Sequence, residues 1–210
     1  QLCHPRRVCW LEMTAQLVIV DTGGANIASL QYAFGRIGVS AELTAQPELI
    51  RGATHVVLPG VGAAADAMQR LRERNLPDVI RNLQQPVLGI CLGMQLLAES
   101  SEEDHATCLG VLPGQAVALP ATSVSPVPHM GWSRISISRQ DPLLAGIGDG
   151  CYFYFLHSFA LPPSPGSMAT AHHSVEFSAV LQHENFRAVQ FHPERSSSAG
   201  ARLLANFLGL

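Results

Sequence analysis

Charged residues are scarce in this sequence, and their scarcity excludes several classes of function. Only 14% of the 210 residues are charged, and the formal net charge is −3. No cluster of Lys or Arg could neutralise a run of phosphates, so nucleic-acid binding is not predicted. No apolar run approaches the roughly 20 residues of a membrane span, because residues such as Asp21 and Arg51 interrupt each one. We therefore expect neither nucleic acid nor membrane as a partner.

Cysteine is also sparse and irregularly spaced. The chain has five cysteines, an odd number, at positions 3, 9, 91, 108 and 151, with no Cys-x-x-Cys pair. This pattern argues against a disulfide framework or a zinc site. No histidine has metal-ligand spacing with another His, Cys or carboxylate, so no metal or other cofactor is predicted. A reducing, cytoplasmic setting is the simplest expectation.

The organisation along the chain favours one domain with a short extension. The composition is 47% apolar, enough for a sizeable core, and no internal repeat, low-complexity tract or linker is present. The apolar run near the start ends at Glu12, which makes it too short for a signal peptide. We predict that Met13 is the natural start, that residues 1–12 are an extension without function, and that residues 13–210 form the domain.

Strand and helix patterns alternate through the first half of the chain. Short apolar runs at 16–20, 41–43, 55–58 and 87–90 are typical of buried strands, and segments of helical spacing separate them. This order predicts an α/β fold with a mostly parallel sheet and helices on both faces. Prolines interrupt the strand-like pieces of the second half, which we expect to be more antiparallel. Ligands bind such sheets at the carboxyl ends of the strands.

Cys91 lies at one of these strand ends, between an apolar strand and an apolar helix. Gly89 and Gly93 flank it at two residues on either side, and they would permit the sharp turn that such a junction needs. The N-terminus of the following helix would favour a thiolate. These features predict a nucleophile, although an ordinary buried cysteine is the alternative for the local pattern.

A cysteine nucleophile needs a base and a group that orients the base. His192 and Glu194 fit these roles, because residues two apart at a strand end point the same way and Pro193 fixes the backbone between them. Alone, the same residues could form a surface turn.

Attack on an amide also needs donors for the developing oxyanion. The backbone N–H groups of Leu92 and of the loop 59–62 are the candidates, and glycines on both sides of Val61 make a peptide flip there easy. A plain tight turn is the alternative interpretation of this loop.

Three stretches together carry a resemblance that covers nearly all of the chain from Gln16 to Leu210. Pro59-Gly60-Val61-Gly62, Gly89-Ile90-Cys91-Leu92-Gly93-Met94-Gln95 and Gln190-Phe191-His192-Pro193-Glu194 resemble the class I glutamine amidotransferase family. Two more, Pro128-His129-Met130-Gly131-Trp132 and Tyr154-Phe155-Leu156-His157-Ser158, resemble the subgroup of glutaminase subunits that serve imidazole glycerol phosphate synthase in histidine biosynthesis.

The resemblance implies a single flavodoxin-like domain that hydrolyses glutamine to glutamate and ammonia. Cys91 would be the nucleophile, His192 the acid and base, and Glu194 the group that orients His192. The family pattern makes Val61 and Leu92 the oxyanion donors, and it places Gly60, Gln95, His157 and Ser158 in contact with glutamine.

The subgroup also implies a protein partner. Ammonia would pass through a channel to a (β/α)8-barrel cyclase subunit, which makes imidazole glycerol phosphate and aminoimidazole carboxamide ribotide. The residues expected at this interface are Asn26, His129, Met130, Trp132 and Arg195. Two positions depart from the usual pattern: Ser133 stands where Asn is usual, and Arg195 stands where Lys is common. Both departures put the hydrogen bonds of the interface in doubt.

Three other functions are weighed against this one. Another class I glutaminase, serving anthranilate or nucleotide synthesis, is disfavoured by the stretch 129–132. A non-catalytic regulatory subunit is disfavoured because Cys91, His192 and Glu194 are all present. A cysteine peptidase or related stress protein on a similar fold is disfavoured by Gln95 and by the stretch 190–194.

Overall fold

The computed structural model describes residues 16–23 and 27–210. The predicted extension at 1–12, the predicted start at Met13 and the predicted interface residue Asn26 lie outside the described residues.

The described residues form strands and α-helices that alternate at first and then give way to strands. The strands are β1 (Leu17–Val20), β2 (Ala41–Thr44), β3 (His55–Leu58), β4 (Val87–Ile90), β5 (Ser100–Ser101), β6 (Ala106–Thr107), β7 (Gln115–Ala118), β8 (His129–Ile137), β9 (Tyr152–His157), β10 (Phe159–Ala160), β11 (Ser167–His172), β12 (Glu176–His183) and β13 (Phe186–Val189). The helices are α1 (Ile27–Arg36), α2 (Pro47–Gly52), α3 (Ala64–Glu73), α4 (Pro77–Arg81), α5 (Leu92–Leu97) and α6 (Ser197–Phe207). Short 3₁₀ helices occupy Glu103–His105, Pro142–Leu144 and Pro193–Arg195.

One nine-stranded sheet organises the molecule, in the order β2-β1-β3-β4-β13-β12-β11-β8-β9. The strands β2, β1, β3, β4 and β13 run parallel to one another. From β13 onward the pairings are antiparallel. The α/β class, the mixed sheet and the antiparallel second half predicted from the sequence are therefore confirmed.

The central strands are apolar on both faces because helices cover both faces. Within β1, Leu17 and Ile19 pack into one core and Val18 and Val20 into the other. The first core includes the apolar faces of α1 and α6. The second includes those of α2, α3, α4 and α5. Continuous apolar runs, rather than alternating ones, follow from burial on both sides.

Several elements were not predicted from the sequence. Helix α2 has only six residues, too few for a clear helical period. Strand β8 begins directly after Pro128 and contains Gly131, and both residues interrupt the strand pattern in the sequence. A second sheet of four short strands, β10-β7-β5-β6, packs beside the first half. Among the described residues, no helix is long and apolar enough to cross a membrane.

Candidate active site

Cys91 occupies a strained turn between β4 and α5. Its backbone has φ 54° and ψ −112°, a region that non-glycine residues rarely adopt. A Cβ atom on Gly93 would lie 1.8 Å from the carbonyl oxygen of Leu58 in the neighbouring strand β3. Only glycine fits there, because α5 begins against the backbone of β3. The predicted strand-to-helix turn is therefore observed, and glycine is needed for close approach between elements.

The loop 59–62 packs directly on the start of α5. A Cβ atom on Gly60 would lie 2.7 Å from Leu92 Cβ and 2.8 Å from the backbone nitrogen of Gly93. This contact brings the backbone of Val61 to the same cavity as Cys91. The Leu92 N–H belongs to the first turn of α5, where N–H groups have no partner within the helix. Both predicted oxyanion donors thus lie beside the nucleophile.

His192 and Glu194 meet through a 3₁₀ helix. The sequence-based explanation, strand alternation, was wrong here, because β13 ends at Val189 and Glu194 lies in the 3₁₀ helix Pro193–Arg195. Pro193 has no N–H for a strand ladder, and the chain turns. The turn brings His192 Nδ1 to 2.9 Å from Glu194 Oε1, with both side chains almost fully buried. The Ser196 hydroxyl donates to the His192 carbonyl at 2.7 Å and fixes the turn.

The charges around His192 keep its imidazole protonated. Burial of the ring lowers the pKa of His192, but hydrogen bonds to Cys91 and Glu194, together with the negative charges of these groups, raise it to about 10. At neutral pH the ring is therefore a cation beside the sulfur. Glu194 accepts a hydrogen bond from His192 Nδ1, which leaves Nε2 as the nitrogen that can exchange protons with the reacting groups.

A cavity of about 300 Å³ opens at Cys91. Every predicted catalytic, oxyanion and substrate residue lines it except Glu194, which lies behind His192. The lining residues that the sequence predicted are Gly60, Val61, Cys91, Leu92, Gln95, His157, Ser158, His192 and Arg195. The cavity would hold a small amino acid. Within the described part of the chain, no group of three or more His, Cys, Asp or Glu is placed to hold a metal ion.

Glu103 is a cavity residue that sequence reasoning missed. Its carboxylate lines the cavity, and its Oε2 also accepts the backbone N–H of Ala64 at 2.8 Å, at the start of α3. Glu103 therefore puts a negative charge near the 59–62 loop, to which it is joined through α3. In the sequence it stands within an acidic run, Glu102-Glu103-Asp104, where no local pattern separates it from its neighbours.

Gln95 and Gln190 connect α5 to the strands that surround the cavity. Gln95 is buried, and its Nε2 donates to the carbonyl of Phe159 at 2.8 Å and to Gln190 Oε1 at 3.2 Å. Gln190 Nε2 in turn lies 3.9 Å from Cys91 Sγ. The amino group of Gln95 is thus bonded within the protein, and the predicted site residues had not included Gln190.

The predicted interface residues divide according to the face of β8 on which they lie. Met130 and Trp132 are 67% and 51% exposed. His129, by contrast, is 3% exposed and faces inward, because side chains alternate along a strand. Direct contact of the His129 side chain with a partner, as the sequence pattern implied, is not available in this structure. Arg195 is exposed at the mouth of the cavity, with its guanidinium 6.0 Å from the ring of Tyr154.

His157 lines the cavity as a neutral side chain. Burial above all, together with the neighbouring imidazoles of His129, His173 and His192, lowers its pKa to about 3, although its hydrogen bond to the Phe159 carbonyl acts in the opposite direction. It therefore lines the cavity without bringing a charge to it.

Comparison with known proteins agrees with this geometry. The family model for glutamine amidotransferase class I matches residues 18–209. The HisH protein of imidazole glycerol phosphate synthase from Vibrio cholerae is 45% identical over 94% of this chain and 100% of its own length. The HisH protein of Haemophilus influenzae is 47% identical over 91% of this chain and 96% of its own length.

Solved structures show the same fold at low sequence identity. A putative GMP synthase protein from Thermoplasma acidophilum superposes with a TM-score of 0.73 at 19% identity, covering 93% of each chain. PurLQS from Thermotoga maritima superposes with a TM-score of 0.69 at 16% identity, covering 94% of this chain and 99% of its own. With the matches in sequence, these findings show that the chain belongs to the class I glutamine amidotransferase family, among the HisH subunits of imidazole glycerol phosphate synthase.

Proposed function

We propose that this chain is the glutaminase subunit of imidazole glycerol phosphate synthase in histidine biosynthesis, hydrolysing L-glutamine and delivering ammonia to a cyclase. The observation that carries the chemistry is the placement of Cys91 on a strained turn, in one cavity with His192, which Glu194 holds from behind. The whole-length identity to HisH subunits supports the choice of pathway.

The reaction follows from the positions of these groups. Cys91 Sγ attacks the side-chain amide carbon of glutamine, and the Val61 and Leu92 N–H groups stabilise the oxyanion. The protonated His192 then gives its proton to the departing nitrogen, so that ammonia leaves and a glutamyl thioester remains. Water, deprotonated by His192, attacks the thioester, and glutamate and the free thiol result.

The charges of the cavity fit the two ends of the substrate. Glu103 would receive the α-ammonium group of glutamine, and Arg195, which also lines the cavity, would receive the α-carboxylate. Gly60, His157 and Ser158 would contact the rest of the molecule. Gln95 also lines the cavity and keeps its predicted contact with glutamine, while its amino group, bonded to Phe159 and Gln190, holds it in the wall.

An exposed aromatic and apolar face supports the proposal of a cyclase partner. Met130 and Trp132 of β8 lie opposite Leu156 and Tyr154 of β9, and all four side chains point to the same side of the sheet. Trp132 stacks edge-on against Tyr154 at 6.1 Å. We call the set Met130, Trp132, Tyr154 and Leu156 the docking face. A contiguous apolar patch beside an active site is typical of a protein interface.

The partner would also complete the oxyanion hole. We expect weak hydrolysis of glutamine by the free chain and a large increase when the cyclase and its nucleotide ligand bind. The reason is that partner binding would turn the Val61 N–H into the cavity, where it completes the oxyanion hole. One missing oxyanion donor costs about 100- to 1000-fold in rate.

A cytoplasmic setting is part of the proposal, and it is supported by the free thiols of the three described cysteines, Cys91, Cys108 and Cys151.

Two variants and one label test the proposal. Cys91→Ala should abolish glutamate formation and leave binding of the cyclase intact, measured by titration calorimetry. Trp132→Ala should weaken cyclase binding at least tenfold while its cavity still binds glutamine. Glutamine labelled at the side-chain amide, supplied to chain and cyclase together, should transfer label into the imidazole ring. Retained hydrolysis by Cys91→Ala, or label found only in free ammonia at saturating cyclase, would contradict the proposal.

A further inference from the structure

Ser133 is one of the two positions at which this chain departs from its subgroup, and the structure places it on the inner side of β8. His129, Gly131, Ser133 and Ile135 alternate with exposed residues along the strand and face the core. The Ser133 hydroxyl lies 2.9 Å from His129 Nε2. Within the chain, the Ser133 hydroxyl thus bonds to an inward-facing side chain of the same strand. Its partner is a buried histidine.

The contact belongs to a continuous series of hydrogen bonds. His129 Nδ1 lies 3.1 Å from His157 Nε2, and His157 Nδ1 lies 2.9 Å from the carbonyl oxygen of Phe159. The same carbonyl accepts Gln95 Nε2 from α5 at 2.8 Å. We call Ser133, His129, His157 and the Phe159 carbonyl the histidine relay. It runs from β8 to the cavity wall that carries His157, Ser158 and Phe159.

With both rings neutral, only one arrangement of protons satisfies every contact. The Phe159 carbonyl can only accept, so His157 carries its proton on Nδ1 and presents a lone pair at Nε2. His129 must then donate from Nδ1, which leaves a lone pair at its own Nε2. Ser133 supplies the hydroxyl donor for that lone pair. The residue usual in the subgroup, Asn, carries an amide that can donate in the same way.

The surroundings hold both rings in place and neutral. His129 is stacked between Phe155, at 4.9 Å, and His173, at 4.2 Å, and His173 Nε2 is anchored on the Pro126 carbonyl at 2.8 Å. Burial, with a smaller effect of the neighbouring His173 imidazole, lowers the pKa of His129 to about 4. The other ionisable groups near His157 are Cys91 across the cavity and His192, whose charge opposes a second cation.

We propose that Ser133 and His129 are positioning residues, which act through His157 to hold the glutamine-binding wall at Leu156–Phe159. This inference rests on the proposed glutaminase function. Loss of the Ser133 donor would leave a buried nitrogen acceptor without a partner and would loosen His129 and then His157. His157 itself lines the cavity, and the contact between this wall and the nucleophile is the long one from Cys91 Sγ to the Leu156 carbonyl, at 3.6 Å. The main effect therefore falls on glutamine binding.

Threonine and valine at position 133 give a matched pair, since they have the same shape and differ in the hydroxyl. In the complex with the cyclase, Ser133→Val should raise KM for glutamine about tenfold and change kcat less than threefold, as expected for one lost hydrogen bond. Ser133→Thr and Ser133→Asn should stay within threefold of the wild type in both constants. Ser136→Val, on the exposed side of the same strand, is the control for strand composition and should be silent.

Equal constants for the Thr and Val variants, whether both normal or both impaired, would overturn the proposal. A fall in kcat with unchanged KM would also overturn it. A measurement that needs no variant and no activity is the ¹⁵N spectrum of the histidine-labelled wild-type chain at pH 6. It should show His129 and His157 neutral with the proton on Nδ1, and a charged ring or a proton on Nε2 of His157 would overturn the relay. If the wild-type complex did not hydrolyse glutamine, the proposed function would be contradicted. The histidine relay would then still be tested by the ¹⁵N spectrum, which does not depend on activity.

Discussion

His192 keeps its proton because of the two groups that it contacts. A buried imidazole without partners favours the neutral form, as His129 and His157 show a few ångströms away, where burial lowers both pKa values. At His192 the same burial is outweighed by hydrogen bonds to Cys91 and Glu194. Histidine side chains a short distance apart thus differ in charge, neutral at His129 and His157 and positive at His192. The difference comes from the Glu194 carboxylate and the Cys91 sulfur beside His192.

Glu194→Gln tests this account at the residue scale. The amide has no negative charge to support the imidazolium, and its NH₂ group can bond to Nδ1 and select the wrong tautomer of His192. We expect kcat for glutamine hydrolysis in the cyclase complex to fall about 100-fold or more, with a smaller change in KM. Glutamate formation is the measurement.

The matched control for that variant is Glu176→Gln, which changes an exposed glutamate bonded only to Thr170 on the neighbouring strand. It should leave kcat unaltered. A Glu194→Gln enzyme with kcat within threefold of the wild type would show that the carboxylate is dispensable for orienting His192.

At the scale of elements, the site is a meeting point of strand ends. The loop after β3, the turn after β4 and the 3₁₀ helix after β13 supply the oxyanion loop, the nucleophile and the base, and β3, β4 and β13 are neighbours in the sheet. Parallel strands bring their carboxyl ends to one edge, which explains why residues far apart in sequence meet there. The contact between α5 and β3 at Gly93 sets how close these ends lie.

Gly93→Ala should disrupt that contact. An added Cβ would lie 1.8 Å from the Leu58 carbonyl oxygen, which is main chain and cannot move aside without shifting β3. We expect the free energy of unfolding to fall by about 3 kcal/mol or more, with loss of hydrolysis. Urea denaturation followed by circular dichroism gives the number.

Gly35→Ala is the control at the element scale, because this glycine is exposed in helix α1 and an added Cβ would meet nothing within 4 Å. That change should raise the free energy of unfolding by about 0.5–1 kcal/mol through better helix propensity. Similar stability of the Gly93→Ala protein and the wild type would mean that α5 can move away from β3 at little cost.

At the scale of the whole molecule, buried neutral histidines connect stability to pH. The pKa values of His55, His129 and His157 are lowered from the ordinary 6.5, chiefly by burial, with those of His129 and His157 at about 4 and about 3. Below pH 6.5 these histidines bind protons in the unfolded chain but stay neutral in the folded chain. The contribution of the three neutral histidines to stability is therefore present above pH 6.5 and is lost as the pH falls. His192 behaves in the opposite way, because its raised pKa stabilises the fold below pH 6.5 and that contribution is lost as the pH rises toward 10.

We therefore expect a marked loss of stability in mild acid. Between pH 7.5 and pH 5, His129 and His157 should each remove about 2 kcal/mol from the free energy of unfolding. Urea denaturation at pH 7.5, 6.5 and 5 measures the decline, and His129→Gln should reduce its slope. Because the raised pKa of His192 offsets part of this loss, the comparison with the variant is decisive, and equal declines for the wild type and His129→Gln would show that His129 accepts a proton in the folded state without cost.

The sequence by itself determined the chemistry and the general architecture. Cys91 between two glycines, the Pro59–Gly62 loop and the His192-Pro193-Glu194 ending identify the family because each needs particular residue types at fixed local spacing. The alternation of apolar runs indicated the doubly covered parallel sheet, since burial on both faces removes polar residues from the central strands.

Only the tertiary structure decided which side chains meet across the sheet. The 3₁₀ turn that joins His192 to Glu194, the carboxylate of Glu103 in the cavity and the inward pairing of Ser133 with His129 all depend on contacts between residues distant in sequence or on a local turn that Pro193 imposes. Hydrophobic periodicity carries no information on such polar pairings. The geometry depends on contacts such as the pairing of β8 with β9 and the contact of Glu103 with the start of α3, so it becomes visible only in the folded chain.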